Sequence, residues 1–331
     1  MRRKLIIILS LLMLLSSCAE GEYPSRGIQI VVPYSPGGTT DLVARAFAQV
    51  LSQELDQEVT VINQAGASGS VGTLAVDQAK HDGYTLLLSA DSLGIQRVMD
   101  LSNLSFDDFE PIILLSNDPK VIVVNSQGPF DSAKTLFDAM RDPGLNMSYT
   151  GPGGSGHIQA LLYEKLGAKL NLTPFPGGLD AIVALMGNQV DFTNSNASVV
   201  WEYVESGHLK ILAVAGDSPL SLDPSIPLLG EVVDGADELM GLAFTPLSLL
   251  AGKDTPPDVL ERLRQAAARA TSNPIWLDYI EESGQEILYE KYPEVSDMKA
   301  FFKNFESTMS WLLEDGGAAK KSPLEFGIER P

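Results

Sequence analysis

The chain has 331 residues with 44% hydrophobic content, enough to bury two ordinary cores, and too little glycine and proline for a disordered or fibrous class. Its 43 acidic against 23 basic side chains leave a formal net charge of −20, which excludes nucleic acid as a partner. A single cysteine excludes an intramolecular disulfide, so the fold must hold by packing alone.

In chain order, Arg2, Arg3 and Lys4 precede an apolar run from Leu5 to Leu15 and then Leu15-Ser16-Ser17-Cys18. This is the pattern of an export signal, too short for a membrane span. Cys18 stands where a lipobox carries its lipidated residue; the alternative is a free thiol just past an ordinary cleavage site. The expectation is a lipoprotein signal over residues 1–17, lipidation at Cys18, a polar tether over 18–26, and an extracytoplasmic protein held to a membrane by its lipid. Loss of the signal removes three cations and leaves about −23, from 20 basic and 43 acidic residues.

Ile28 to Arg45 reads I-Q-I-V-V-P-Y-S-P-G-G-T-T-D-L-V-A-R: a β-branched run, a proline-flanked Gly37-Gly38 pair and a helical pattern. The helix is expected over Thr39–Gln53, with Leu42, Val43, Ala46, Phe47, Val50 and Leu51 on its apolar face and Asp41 paired to Arg45. Such a junction aims free backbone N–H groups and the positive end of a helix dipole at one point. That suits a carboxylate or phosphate without any basic side chain. Asp41 either balances the dipole and pairs Arg45 or helps to shape the turn.

A strand over Glu58–Asn63, a Gly/Ser loop, a helix over Val71–Lys80 and a strand over Thr85–Ser89 follow, alternating as in a parallel α/β sheet. Ser89-Ala90-Asp91-Ser92 ends the third strand at the carboxyl edge where ligands of open α/β sheets collect. Asp91 there either caps the next helix or faces the cleft, where it would disfavour a ligand's second carboxylate. Phe109–Ser116 and Val121–Asn125 read as strands and Asp131–Arg141 as a helix, with the crossing into a second lobe placed after residue 124. The glycine junction then recurs in N-M-S-Y-T-G-P-G-G-S-G-H at Asn146–His157 and in L-N-L-T-P-F-P-G-G at Leu170–Gly178, each running into a helix. No Lys or Arg lies in any of the three turns, so ligand contacts are expected to be backbone-dominated. Strands at Gln189–Thr193, Leu209–Ala215 and Leu242–Leu250, and helices at Val199–Ser206, Val259–Ser272, Pro274–Ser283 and Val295–Leu313, complete the chain, the last of them returning to the first lobe.

Gly151, Gly153 and Gly156 spell G-x-G-x-x-G, but the acidic residue a dinucleotide site needs roughly 20 residues on is missing. Gly154-Ser155-Gly156-His157 fails the G-x-S-x-G elbow because His157 replaces the last glycine. His81, His157 and His208 are far apart, with no cysteine or H-E-x-x-H nearby, which gives a metal site no basis. His81 and His208 read as surface turn residues; His157 either contacts a ligand or caps its helix. No catalytic residue, cofactor or metal is expected.

The pieces Y-P-S-R-G-I-Q-I-V-V-P-Y-S-P-G-G-T-T-D, H-D-G-Y-T-L-L-L, S-Y-T-G-P-G-G-S-G-H, P-F-P-G-G, G-N-Q-V-D-F and G-H-L-K-I-L-A-V occur in this order. With them the chain resembles the Bug-type extracytoplasmic substrate-binding proteins of tripartite tricarboxylate transporters, over nearly all of its mature length. The resemblance implies an α/β, two-lobed type II periplasmic-binding-protein fold, a Venus flytrap with each lobe a sheet flanked by helices. Lobe 1 is expected over 27–124 and 244–331, lobe 2 over 125–243. It also implies a monomer that closes on a small carboxylate and delivers it to membrane permease subunits. Carried over by position, Tyr34, Ser35, Gly37, Gly38, Thr39, Thr40 and Asp41 with Gly153, Gly154, Ser155, Gly156 and His157 hold one carboxylate group. Phe175, Pro176, Gly177, Gly178 and Asn196 line the remainder, and Ser89 and Asp91 close the strand edge. Asp91 and Ser195 depart from the common pattern. A tethered sensor or an exported enzyme on the same scaffold are the competing readings; an enzyme should show a nucleophile and base in reach, and no such pair is legible.

Overall fold

The computed structural model describes residues 22–141, 144–175, 177–240 and 245–331; the signal residues 1–17, Cys18 and Pro176 lie outside them. In chain order the elements begin with β1 (Ile28–Val32), α1 (Thr39–Leu55), β2 (Val59–Asn63), α2 (Ser70–Asp77), β3 (Thr85–Ser89), β4 (Phe109–Asn117) and β5 (Lys120–Asn125). Next come α3 (Ala133–Ala139), β6 (Leu145–Tyr149), α4 (Ser155–Lys165), β7 (Leu170–Pro174), α5 (Gly178–Met186), β8 (Phe192–Asn196), α6 (Ala197–Glu205) and β9 (Leu209–Val214). After two four-residue helices, α7 (Leu229–Val232) and α8 (Asp237–Met240), the chain closes with β10 (Pro246–Gly252), α9 (Pro257–Ala270), α10 (Pro274–Ser283), β11 (Glu286–Ile287) and α11 (Val295–Asp315).

The strands form two sheets, ordered β11-β4-β10-β3-β1-β2 and β7-β6-β8-β5-β9, both flanked by helices, and the fold is two-lobed α/β. Alternation along β1, β3 and β10 buries both faces of the first sheet. Ile28, Ile30, Val32, Leu86, Leu88, Leu247 and Leu249 meet the apolar faces of α1, α9 and α10, while Val31, Leu87 and Leu250 enter the core that α11 covers. Trp276 is fully buried edge-on to Phe47, ring centroids 5.0 Å apart. The second sheet closes its outer face with Ile182, Leu185 and Val200 of α5 and α6 over Val121 and Val123.

Three expectations change. The sheets are mixed, not purely parallel: β10 runs antiparallel to both β3 and β4, and β5 antiparallel to β8 and β9. The reason is direction of travel, since β1 and β3 end at the edge where the lobes meet and β10 starts there. The strand read at Val121–Asn125, placed in the first lobe up to residue 124, runs over Lys120–Asn125 and belongs to the second sheet, so the chain changes sheet at residues 118–119 and not after 124. Tyr23 to Arg26, assigned to the tether, dock on the first lobe instead. The Tyr23 hydroxyl donates to Gly83 O at 2.6 Å, and the Arg26 guanidinium lies 3.8 Å over the Tyr84 ring and 3.2 Å from Asp82.

Candidate functional site

Where the sheets meet, a cleft of about 90 Å³ is lined by Tyr34, Ser35, Gly38, Thr39, Thr40, Ala90, Asp91 and Thr245 from the first sheet's side. Lys120, Thr150, Gly177, Gly178, Ser195, Asn196 and Val199 line it from the second. At about 10–15 Å³ per water, that is room for a small metabolite.

Three helices start at this cleft, with N-cap residues Gly38 for α1, Gly177 for α5 and Asn196 for α6, and none of these caps makes a side-chain hydrogen bond to its helix. Their first N–H groups therefore need partners from elsewhere. For α6 part of the answer is Asp118, whose Oδ1 accepts from Ser198 N at 3.3 Å. Fully buried at the sheet change, Asp118 also accepts from the Thr39 hydroxyl of α1 at 2.8 Å and from the Ser198 hydroxyl. One carboxylate thus ties the first turns of α1 and α6, one from each lobe. Burial pushes its carboxyl above the usual range, against the pull of these hydrogen bonds and of Lys120.

The first glycine turn is held from behind. Asp41, 2% exposed, accepts from Gly37 N at 2.9 Å, from Arg45 at 3.0 Å and from Asn63 Nδ2 at 2.9 Å. It therefore shapes the turn and does not line the cleft. Gly37 itself has φ +82°, a left-handed conformation that only glycine adopts freely. The first and third turns face each other: a Cβ on Gly177 would stand 3.1 Å from Ser35 Cβ, and one on Gly37 3.3 Å from Leu179. Tyr34 shares a hydrogen bond with the Ser92 hydroxyl, and burial with the nearby Asp91 charge pushes its phenol far up.

The second glycine turn sends only Thr150 to the cleft; Gly153, Gly154, Gly156 and His157 do not line it, and Ser155 opens α4. Gly153, at φ +83°, packs on the first lobe, where a Cβ would come within 2.8 Å of Ile95 and Met99. His157 Nδ1 accepts from Gly153 N at 3.0 Å, so of its two readings the geometry favours bracing its own turn. Ser89 and Phe175 also stay off the lining, the former bonding Ala90 O at 3.2 Å and the latter packing on the outer core of the second sheet.

Desolvation lowers the His157 pKa, so the folded state resists its protonation. Stability from this contact is present above the unfolded value near 6.5 and falls as the pH drops below it toward the lower folded value. The melting-temperature difference between wild type and His157→Gln should accordingly shrink between pH 7.5 and 5.5 in scanning calorimetry; a difference flat with pH would contradict the neutral Nδ1 acceptor.

Sequence reasoning missed Lys120, Asp118 and Thr245. Lys120 is 3% exposed and its ammonium donates to Asn196 Oδ1 at 2.6 Å. The register explains it, because Lys120 is paired with Asn196 at the point where β5 leaves the cleft and β8 reaches it. The legible signal was Asn117-Asp118-Pro119-Lys120, three polar side chains and a proline at the join of two apolar strands. Among the described residues no group of His, Cys, Asp and Glu could hold a metal ion, and no helix is long and apolar enough to cross a membrane.

A family model for the tripartite tricarboxylate transporter family receptor matches residues 43–305. Protein BugT of Bordetella pertussis is 32% identical over 250 residues, spanning 73% of this chain and 76% of that protein. The structure of the periplasmic binding protein BugD superposes with a TM-score of 0.83 at 26% identity, covering 90% of this chain and 99% of that one. The fold also matches MatC from Rhodopseudomonas palustris with bound malate, at a TM-score of 0.80 and 22% identity over 88% of this chain and all of that one.

Proposed function

Because the chain belongs to the tripartite tricarboxylate transporter receptor family, whose solved relatives are periplasmic binding proteins, we propose that it captures a small carboxylate in the cleft between its lobes and hands it to membrane permease subunits. It acts as a binding protein and not as an enzyme. One observation carries the reading. Gly38, with φ −87°, and Gly178 both lack positive φ, and a Cβ on Gly38 would meet nothing nearer than 3.9 Å and one on Gly178 nothing within 4 Å. The fold does not require glycine at either position. Both line the cleft at helix starts, where a bare backbone leaves N–H groups open to a carboxylate. On so acidic a body, local N–H donors overcome the general repulsion of an anion.

A thermal-shift screen of the mature protein against mono-, di- and tricarboxylates and amino acids tests this. A ligand at one hundred times its Kd should add about 2.7 kcal/mol of stability. If no carboxylate raises the melting temperature, the reading fails.

The lipid anchor on Cys18 belongs to the same proposal. Intact-mass analysis of the membrane-bound protein should find acyl chains on Cys18, and Cys18→Ser should release or leave unprocessed a chain that has lost about 0.8 kcal/mol of membrane affinity per buried CH₂.

A further inference from the structure

The cleft holds a charge couple that carboxylate capture by backbone does not need. Asp91, the first residue of the 3₁₀ turn Asp91–Ile95 after β3, and Lys120, the first residue of β5, line one cavity from opposite lobes. Lys120 is the more deeply buried of the two and is fastened to Asn196. Its ammonium, pushed downward by burial, is sustained by the carboxylates of Asp91 and Asp118. Asp91 is thus the charge offered to a solute, with Lys120 as its counter-ion behind. Thr245 adds a buried hydroxyl on the same lining with no hydrogen-bond partner among the described residues.

Resting on the receptor reading above, the geometry points to a zwitterionic solute: a small amino acid whose carboxylate takes the N–H groups at Gly38 and Gly178 and whose ammonium takes Asp91. Two open helix starts, each worth roughly half a positive charge, match one carboxylate. A second carboxylate finds Lys120 already matched by acids of the chain and Asp91 opposing it. An apolar end would cover the Asp91 carboxylate without offering it a donor, which is costly. A carboxylate accepts about four hydrogen bonds, more than one ammonium fills, so a second ammonium is accommodated.

Calorimetric titration of the full-length mature protein with two matched series tests this: propionate, L-alanine, β-alanine and malonate, then butyrate, 4-aminobutyrate and succinate. An amino acid should bind at least about tenfold tighter than the dicarboxylate of its series, because a second carboxylate would share one small cleft with the like charge of Asp91. The double variant D91N/K120M removes both charges together and leaves the buried Asp118 held by the Thr39 and Ser198 hydroxyls. It should still bind carboxylates, with members of a series within roughly threefold of one another once the charge term is gone. Asp91→Asn alone retains Lys120 and should shift preference toward malonate or succinate, which keeps the test decisive if the double variant does not fold. Dicarboxylates binding the native protein as tightly as amino acids, or a preference unchanged in the variants, would overturn this inference and leave the receptor reading standing. No binding by any carboxylate overturns both.

Discussion

Gly38→Leu is expected to weaken carboxylate binding by about 100-fold or more, as two lost charge-assisted hydrogen bonds at 1.5–3 kcal/mol each imply, while the protein stays folded. Gly38 already has a β-region backbone that any residue adopts, and its Cβ direction is open, so the substitution introduces no strain. Leucine is a poorer N-cap than glycine and costs about 1 kcal/mol, a few degrees of melting temperature in a chain this size. What it takes away is access, because the side chain enters a cleft of only about 90 Å³ at the first turn of α1. Gly178→Leu should behave alike from the opposite lobe. Gly37→Leu is the contrast: at φ +82° and 3.3 Å from Leu179 it should lose stability and binding together. Calorimetry on the three variants separates these outcomes, and wild-type affinity in both Gly38→Leu and Gly178→Leu would exclude the backbone site.

The second large effect is expected at Asp41, which never touches the cleft. Asp41→Ala leaves the Gly37 N–H without its acceptor inside the first lobe and the Asn63 amide with Tyr34 O alone, and releases a half-exposed Arg45. Such losses amount to about 2–4 kcal/mol, or on the order of 10 °C. Binding should fall as well, because the turn carrying Gly38 is no longer braced. Burial raises the Asp41 carboxyl, yet the bonds from Arg45, Gly37 and Asn63 outweigh it and hold the group below the ordinary aspartate value. Its stabilisation is therefore complete above the unfolded value near pH 4 and disappears as the pH falls through the lower folded value. Chemical denaturation of wild type and Asp41→Asn should show a constant difference from pH 8 to 5 that shrinks below 4. A difference that persists at pH 2.5 would show that shape, not charge, is what Asp41 supplies.

The sequence by itself determined the local pieces of this site. A β-branched run, a glycine pair and an amphipathic helix make a strand–turn–helix junction wherever they occur, because periodicity and the conformational freedom of glycine act within a few residues. For that reason Gly37, Gly38, Gly177 and Gly178 were legible, and so were β3 and α10 to the residue. Only the tertiary structure decided which junctions converge. By local criteria the turn at Gly153–His157 matches the other two, but its glycine packs against Ile95 and Met99, while the first and third turns meet across the cleft. Lys120 and Asp118 owe their places to the two-residue passage between sheets and to the register of β5 on β8, and Thr245 to the return of β10 into the first sheet. Those are long-range pairings, and the charge a cleft presents depends on residues that distant segments bring together, which no local pattern encodes.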